Sequence, residues 1–87
     1  MQNEIGQAIN RRSKEAIDYL LEIGRIDKFY LFCDEYGFNR RNLDRLFKEP
    51  QREYPLHLLE ILVKDYGVSA DFLILGAGPI LRYVPGK

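Results

Sequence analysis

Apolar residues return along this chain every three or four positions, and no stretch alternates polar with apolar over the length of a strand. That periodicity predicts helices throughout. From Ser13 onward, Ala16, Ile17, Tyr19, Leu20, Leu21 and Ile23 fall on one broad helical face, with Glu15, Asp18 and Glu22 on the opposite strip. Ser13 fits an N-cap and Gly24 a C-terminal stop, so a first helix is predicted over 13–23. Residues 3–12 either extend that helix or form a loose arm. A second helix is predicted over 28–36, capped by Asp27, with the stripe Phe29, Phe32, Cys33, Tyr36 and a stop at Gly37. A third spans 40–48, capped by Asn39, with Leu43, Leu46 and Phe47 turned inward.

After a loop over 50–55, Pro55 suits the first position of a fourth helix, predicted over 55–66. That helix buries Leu56, Leu58, Leu59, Leu62, Val63 and Tyr66 and stops at Gly67. Ser69 caps a short fifth helix over 70–75, ended by Gly76, Gly78 and Pro79, and an apolar tail follows within 76–87. Short helices joined by tight links predict an all-α, compact five-helix domain. At 87 residues the chain has the length of a single domain, 1–87.

Composition narrows the function classes. The apolar share of 46% suits a packed core and is too high for a disordered chain. Thirteen basic and thirteen acidic side chains cancel, which argues against binding to a polyanion through bulk charge. One Cys and one His, Cys33 and His57, exclude a disulfide framework and a Cys-only zinc site. Cys33 is expected as a small core residue, because a reactive thiol needs exposure and a basic neighbour. His57, on the polar side of the fourth helix with Glu60 and Lys64, is expected as a solvated side chain. The aromatic residues fall at core spacings, and Gly76-Ala77-Gly78 is too short for a phosphate loop. No acid, base and nucleophile converge, so neither an enzyme nor a cofactor is expected. No apolar run approaches a membrane span, and the N-terminus carries no apolar leader core. A cytoplasmic protein that does not enter the membrane is the expectation.

The link between the second and third helices is only Gly37-Phe38-Asn39. Helices so closely joined must cross steeply, as in a helix-turn-helix. Such a crossing needs a small residue where the helices approach (Cys33), a left-handed glycine four residues on (Gly37) and an apolar plug at the elbow (Phe38). It also needs inward apolar residues on the next helix, here Leu43 and Leu46. The motif thus occupies about 28–48. Together with the ending Gly67-Val68-Ser69-Ala70-Asp71-Phe72-Leu73-Ile74-Leu75-Gly76-Ala77-Gly78-Pro79, it resembles the lambda-repressor-type DNA-binding domain of phage and bacterial regulators, the Xre family. The resemblance covers about 16–81, and that ending is similar to the family's "VSADWLLTGEGP". It implies an operator-binding dimer with the third helix in the major groove. The chain departs from the family in placing Phe29 where a polar residue usually opens the second helix, Cys33 where Ala is usual, and Asp34 and Glu35 on the second helix.

Charge is unevenly distributed. Over 39–52, Arg40, Arg41, Arg45, Lys48 and Arg52 stand against Asp44 and Glu49, a net charge of +3; over 53–71 the net charge is −3. Opposite the inward direction of the third helix lie Arg41, Arg45 and Lys48, flanked by Arg40 and Asp44. Arg41 and Arg45 are the candidates for bidentate contacts to guanine. Asn39 and Arg40, at the helix N-terminus, are nearest the groove floor or the DNA backbone. Arg11, Arg12 and Arg52 are candidates for phosphates. The competing reading is structural: Arg40, Asp44 and Lys48 are spaced for an exposed ion-pair ladder. A functional alternative is a helix-turn-helix module used for protein binding, such as an antitoxin, favoured by Leu31 off the apolar stripe and by the acidic second helix. Finally, Leu73, Ile74 and Leu75 cannot share one face of a short helix. Either a homodimer covers this segment and the tail, or 80–84 folds back over its own chain.

Overall fold

The computed structural model describes residues 4–49 and 52–82. Its helices are α1 (Glu4–Glu22), α2 (Phe29–Tyr36), α3 (Arg40–Lys48), α4 (Leu56–Tyr66) and α5 (Ala70–Leu75), with no strand among the described residues. The all-α, five-helix class read from the periodicity is the observed one. α1 packs against α3, α4 and α5, and α2 packs against α3. Ala16, Ile17, Leu20, Phe32, Cys33, Leu43, Leu46, Leu58, Leu62, Val68 and Leu73 form the centre of the core.

Local chemistry explains most element ends. Asn39 Oδ1 accepts from the Asn42 N–H at 3.0 Å and Ser69 Oγ from the Phe72 N–H at 3.2 Å, so both are the N-caps their positions predict. α2 ends on Gly37 at φ +76°, a left-handed conformation that glycine adopts without a Cβ clash.

Other ends differ from the sequence reading. Of the two readings open for residues 3–12, extension is the observed one over 4–12, and α1 runs Glu4–Glu22. Ser13 caps nothing: its hydroxyl bonds the Ile9 carbonyl one turn back at 2.9 Å and meets the Tyr54 hydroxyl at 2.6 Å. With its polar demand met inside the fold, Ser13 is buried in mid-helix. Asp27 is not a cap either; Lys28 holds the N-cap position of α2 without a side-chain bond. Pro55 stands one residue before its predicted place, as N-cap of α4. Leu56, expected in the core, is 77% exposed, because it lies on the side of α4 opposite the buried Leu58. Ile23, past the end of α1, is also partly exposed.

Of the two arrangements open for the tail, Ile80 and Leu81 take the fold-back. Val68 and Leu81 form an isolated antiparallel bridge, the Ser69 N–H donates to the Ile80 carbonyl at 2.7 Å, and Leu81 is buried. Tyr83 and Val84 lie outside the described residues. At the end of α5, Ile74 and Leu75 remain exposed, Leu75 at 69%.

Candidate nucleic-acid interface

The elbow between α2 and α3 is built on an aromatic stack. Phe32 is buried at its base, with Phe38 stacked at 6.1 Å and Tyr36 and Tyr66 tilted against it at 5.2 and 5.8 Å. His57 lies on the outer face of Phe38, ring centroids 4.7 Å apart and nearly parallel. His57 is exposed, as expected, yet it packs on the elbow as well as meeting solvent. Cys33 is fully buried, and burial pushes its thiol up, with Asp34 adding to the shift and Arg40 opposing it. That environment suppresses a thiolate and suits the packing role.

Behind α3, polar groups on α1 hold the helix and the loop that follows it. Asn10 is buried and its Nδ2 donates to the Leu46 carbonyl at 3.0 Å, satisfying a group in the last turn of α3. The Ser13–Tyr54 bond fixes the loop before α4. Burial pushes the Tyr54 phenol up to about 12, partly offset by the bond to Ser13. Neither Asn10 nor Tyr54 stood out in the sequence. The signal was there: Asn10, Ser13, Ile17 and Leu20 share one helical stripe, but polar residues at its start hid the continuation.

With Leu43 and Leu46 buried, α3 turns Arg40, Arg41, Asn42, Asp44, Arg45 and Lys48 to solvent. These cations are not equivalent. Lys48 pairs with Asp44 at 3.0 Å and Arg52 with Glu49 at 2.9 Å. Both pairs are exposed and add little stability, but they neutralise charge. Of the predicted ladder only the Asp44–Lys48 rung forms; Arg40 instead lies over the ring of Tyr30, 5.6 Å from its centroid. Arg41 and Arg45 have no partner among the described residues. Asn39, Arg40, Arg41, Asn42 and Arg45 line one open hollow at the start of α3. Asn42 joins it although the helical wheel puts it on a flank, a position from which an exposed amide still reaches the hollow. The first turn of α3 holds no acidic residue to offset Arg40 and Arg41.

The N-terminal arginines separate. Arg11 is exposed, next in sequence to the Asn10 that touches α3, and has no partner among the described residues. Arg12, expected at a phosphate, is turned to α5, where Nη1 donates to the carbonyls of Leu73 at 3.3 Å and Ile74 at 2.9 Å. Its location on the α5 side of α1 decides this: the carbonyls at a helix C-terminus attract a cation.

Among the described residues no three His, Cys, Asp or Glu side chains are grouped to hold a metal ion, and no helix is long and apolar enough to cross a membrane. Comparisons of the chain with protein-family models, curated proteins and solved structures give no match.

Proposed function

We propose that this chain binds duplex DNA sequence-specifically through α3, as a dimer, and regulates transcription in the manner of the lambda-repressor-type domains it resembles. The observation that carries the reading is the charge state of α3. Its inner face is anchored in the core, while Arg41 and Arg45 stand on the outer face with no ion pair among the described residues, in one hollow with Asn39, Arg40 and Asn42. A short helix held this way behind a steep elbow suits insertion into a major groove. Arg41 and Arg45 then read base edges, and Arg11 contacts a phosphate; Arg52, predicted for the same role, is paired with Glu49. Arg12 serves α5 instead. Exposed Ile74 and Leu75 supply an apolar surface for a second copy.

The test is a fluorescence-anisotropy titration with duplexes selected from a random pool. A bidentate arginine–guanine contact is worth ~1–3 kcal/mol, so replacing both Arg41 and Arg45 by Ala lowers affinity for the selected duplex by ~30- to 10⁴-fold. Lys64→Ala, on α4, leaves binding unchanged. Absence of binding at low salt overturns the DNA reading. That outcome favours the antitoxin-like alternative, for which exposed Tyr30 and Leu31 beside Asp34 and Glu35 would be the docking residues.

A further inference from the structure

The charge differences along α3 carry one step further. Asp44 holds the ammonium of Lys48, and Glu49 holds the guanidinium of Arg52, so each of those cations already faces an anion. Arg40 is held differently. It opens α3, its direction on the helical wheel lies toward a flank rather than along the line of Arg41 and Arg45, and its guanidinium rests on the ring of Tyr30, the second residue of α2. Both side chains are exposed.

A ring fixes a cation without cancelling its charge. The attraction comes from the quadrupole of the aromatic face, and Tyr30 brings no negative charge to the pair. A ring takes none of the guanidinium's five N–H donors as a carboxylate would, so they stay available to an acceptor. Arg40 thus sits beside an uncharged ring, with donors left for an outside acceptor. Its contact with Tyr30 sets it on the α2 side of the hollow that Arg41 and Arg45 also line.

We infer that Tyr30 is a positioning residue that commits Arg40 to the sugar-phosphate backbone beside the groove, leaving base discrimination to Arg41 and Arg45. The assignment rests on the DNA reading above and adds a division of labour to it. Arg40 supplies affinity that does not depend on sequence, and Tyr30 acts only through Arg40.

Salt-dependent titrations on a selected duplex and on a scrambled one test this, using the full chain and the variants Arg40→Gln, Tyr30→Leu, Tyr30→Phe and the double variant Tyr30→Leu/Arg40→Gln. Losing one phosphate contact flattens the slope of log K against log salt by about 0.9, so Arg40→Gln shows that change on both duplexes with the ratio of their affinities intact. Tyr30→Leu weakens both duplexes by about two- to fivefold, the range of an exposed cation–π contact. Tyr30→Phe retains the ring and binds as the parent does. Tyr30→Leu has no further effect once Arg40 is Gln, and melting temperatures confirm that each variant is folded. The assignment is overturned if Arg40→Gln changes the affinity ratio, if Tyr30→Leu binds like the parent, or if its defect persists without Arg40. In each of these cases the parent still binds DNA and the functional reading stands. A parent chain that binds neither duplex overturns both.

Discussion

The end of α5 and the beginning of α3 place arginines at opposite poles of a helix. At the end of α5, Arg12 reaches across from α1 to the carbonyls of Leu73 and Ile74, and Gly76 closes the turn at φ +72°. The end of α4 is treated alike: Arg82 Nη2 donates to the Val63 carbonyl at 2.9 Å, and its own N–H to the Gly67 carbonyl at 2.9 Å. In both places a cation meets the negative pole of a helix, and the fold benefits. At the beginning of α3, Arg40 and Arg41 stand at the positive pole, with Asn39 as the only side-chain cap and no acidic residue in the first turn. That placement costs stability in the free protein, by roughly 0.3–1 kcal/mol per charge. Arg12 and Arg82 are satisfied by carbonyls of this chain; in the proposed function the arginines at α3 take their partners from bound DNA. The opposite mismatch occurs at the end of α2, where Asp34 and Glu35 stand at the negative pole; what sets α3 apart is that its unpaired arginines also line one open hollow.

The contrast depends on α3 being held at a fixed angle, so the largest expected effect is at the elbow. Gly37→Val forces a β-branched residue to φ +76°, where a Cβ meets no atom within 4 Å. The cost is therefore backbone strain of about 2 kcal/mol, read by urea denaturation. An unchanged midpoint would mean that the turn does not need its glycine. Next in size is Arg12→Ala. It removes charged donors from the end of α5 and lowers stability by about 1–2 kcal/mol, the partly exposed setting keeping it below the fully buried value. The folded variant keeps its DNA affinity. Full stability with weakened DNA binding would reverse the assignment of Arg12 and erase the comparison. The smallest effect sharpens it most. Arg41→Glu puts an acidic residue at the positive pole of α3, raises stability by about 0.3–1 kcal/mol and abolishes DNA binding. Destabilisation by this change would show that Arg41 serves the fold.

What the sequence determined by itself is what neighbours within about one helical turn decide. The five helices follow from periodicity, and the caps at Asn39 and Ser69 lie three residues from the amides they satisfy. The stop at Gly37 needs only the absence of a side chain. The exposed line of Arg41 and Arg45 follows from the burial of Leu43 and Leu46 on the same helix. Tertiary structure decided the rest. Ser13 could cap a helix or continue one, and continuation is supported by Tyr54, 41 residues away. Arg12 had the composition of a phosphate ligand, but its carbonyl partners lie 61 and 62 residues along the chain. Arg40 stood in register with Asp44 on one helix and found the ring of Tyr30 on another. Polar and charged side chains are long and take partners from any element within reach, so their roles depend on how helices are docked. Caps and apolar stripes depend on backbone geometry a few residues wide, which the order of residues already specifies.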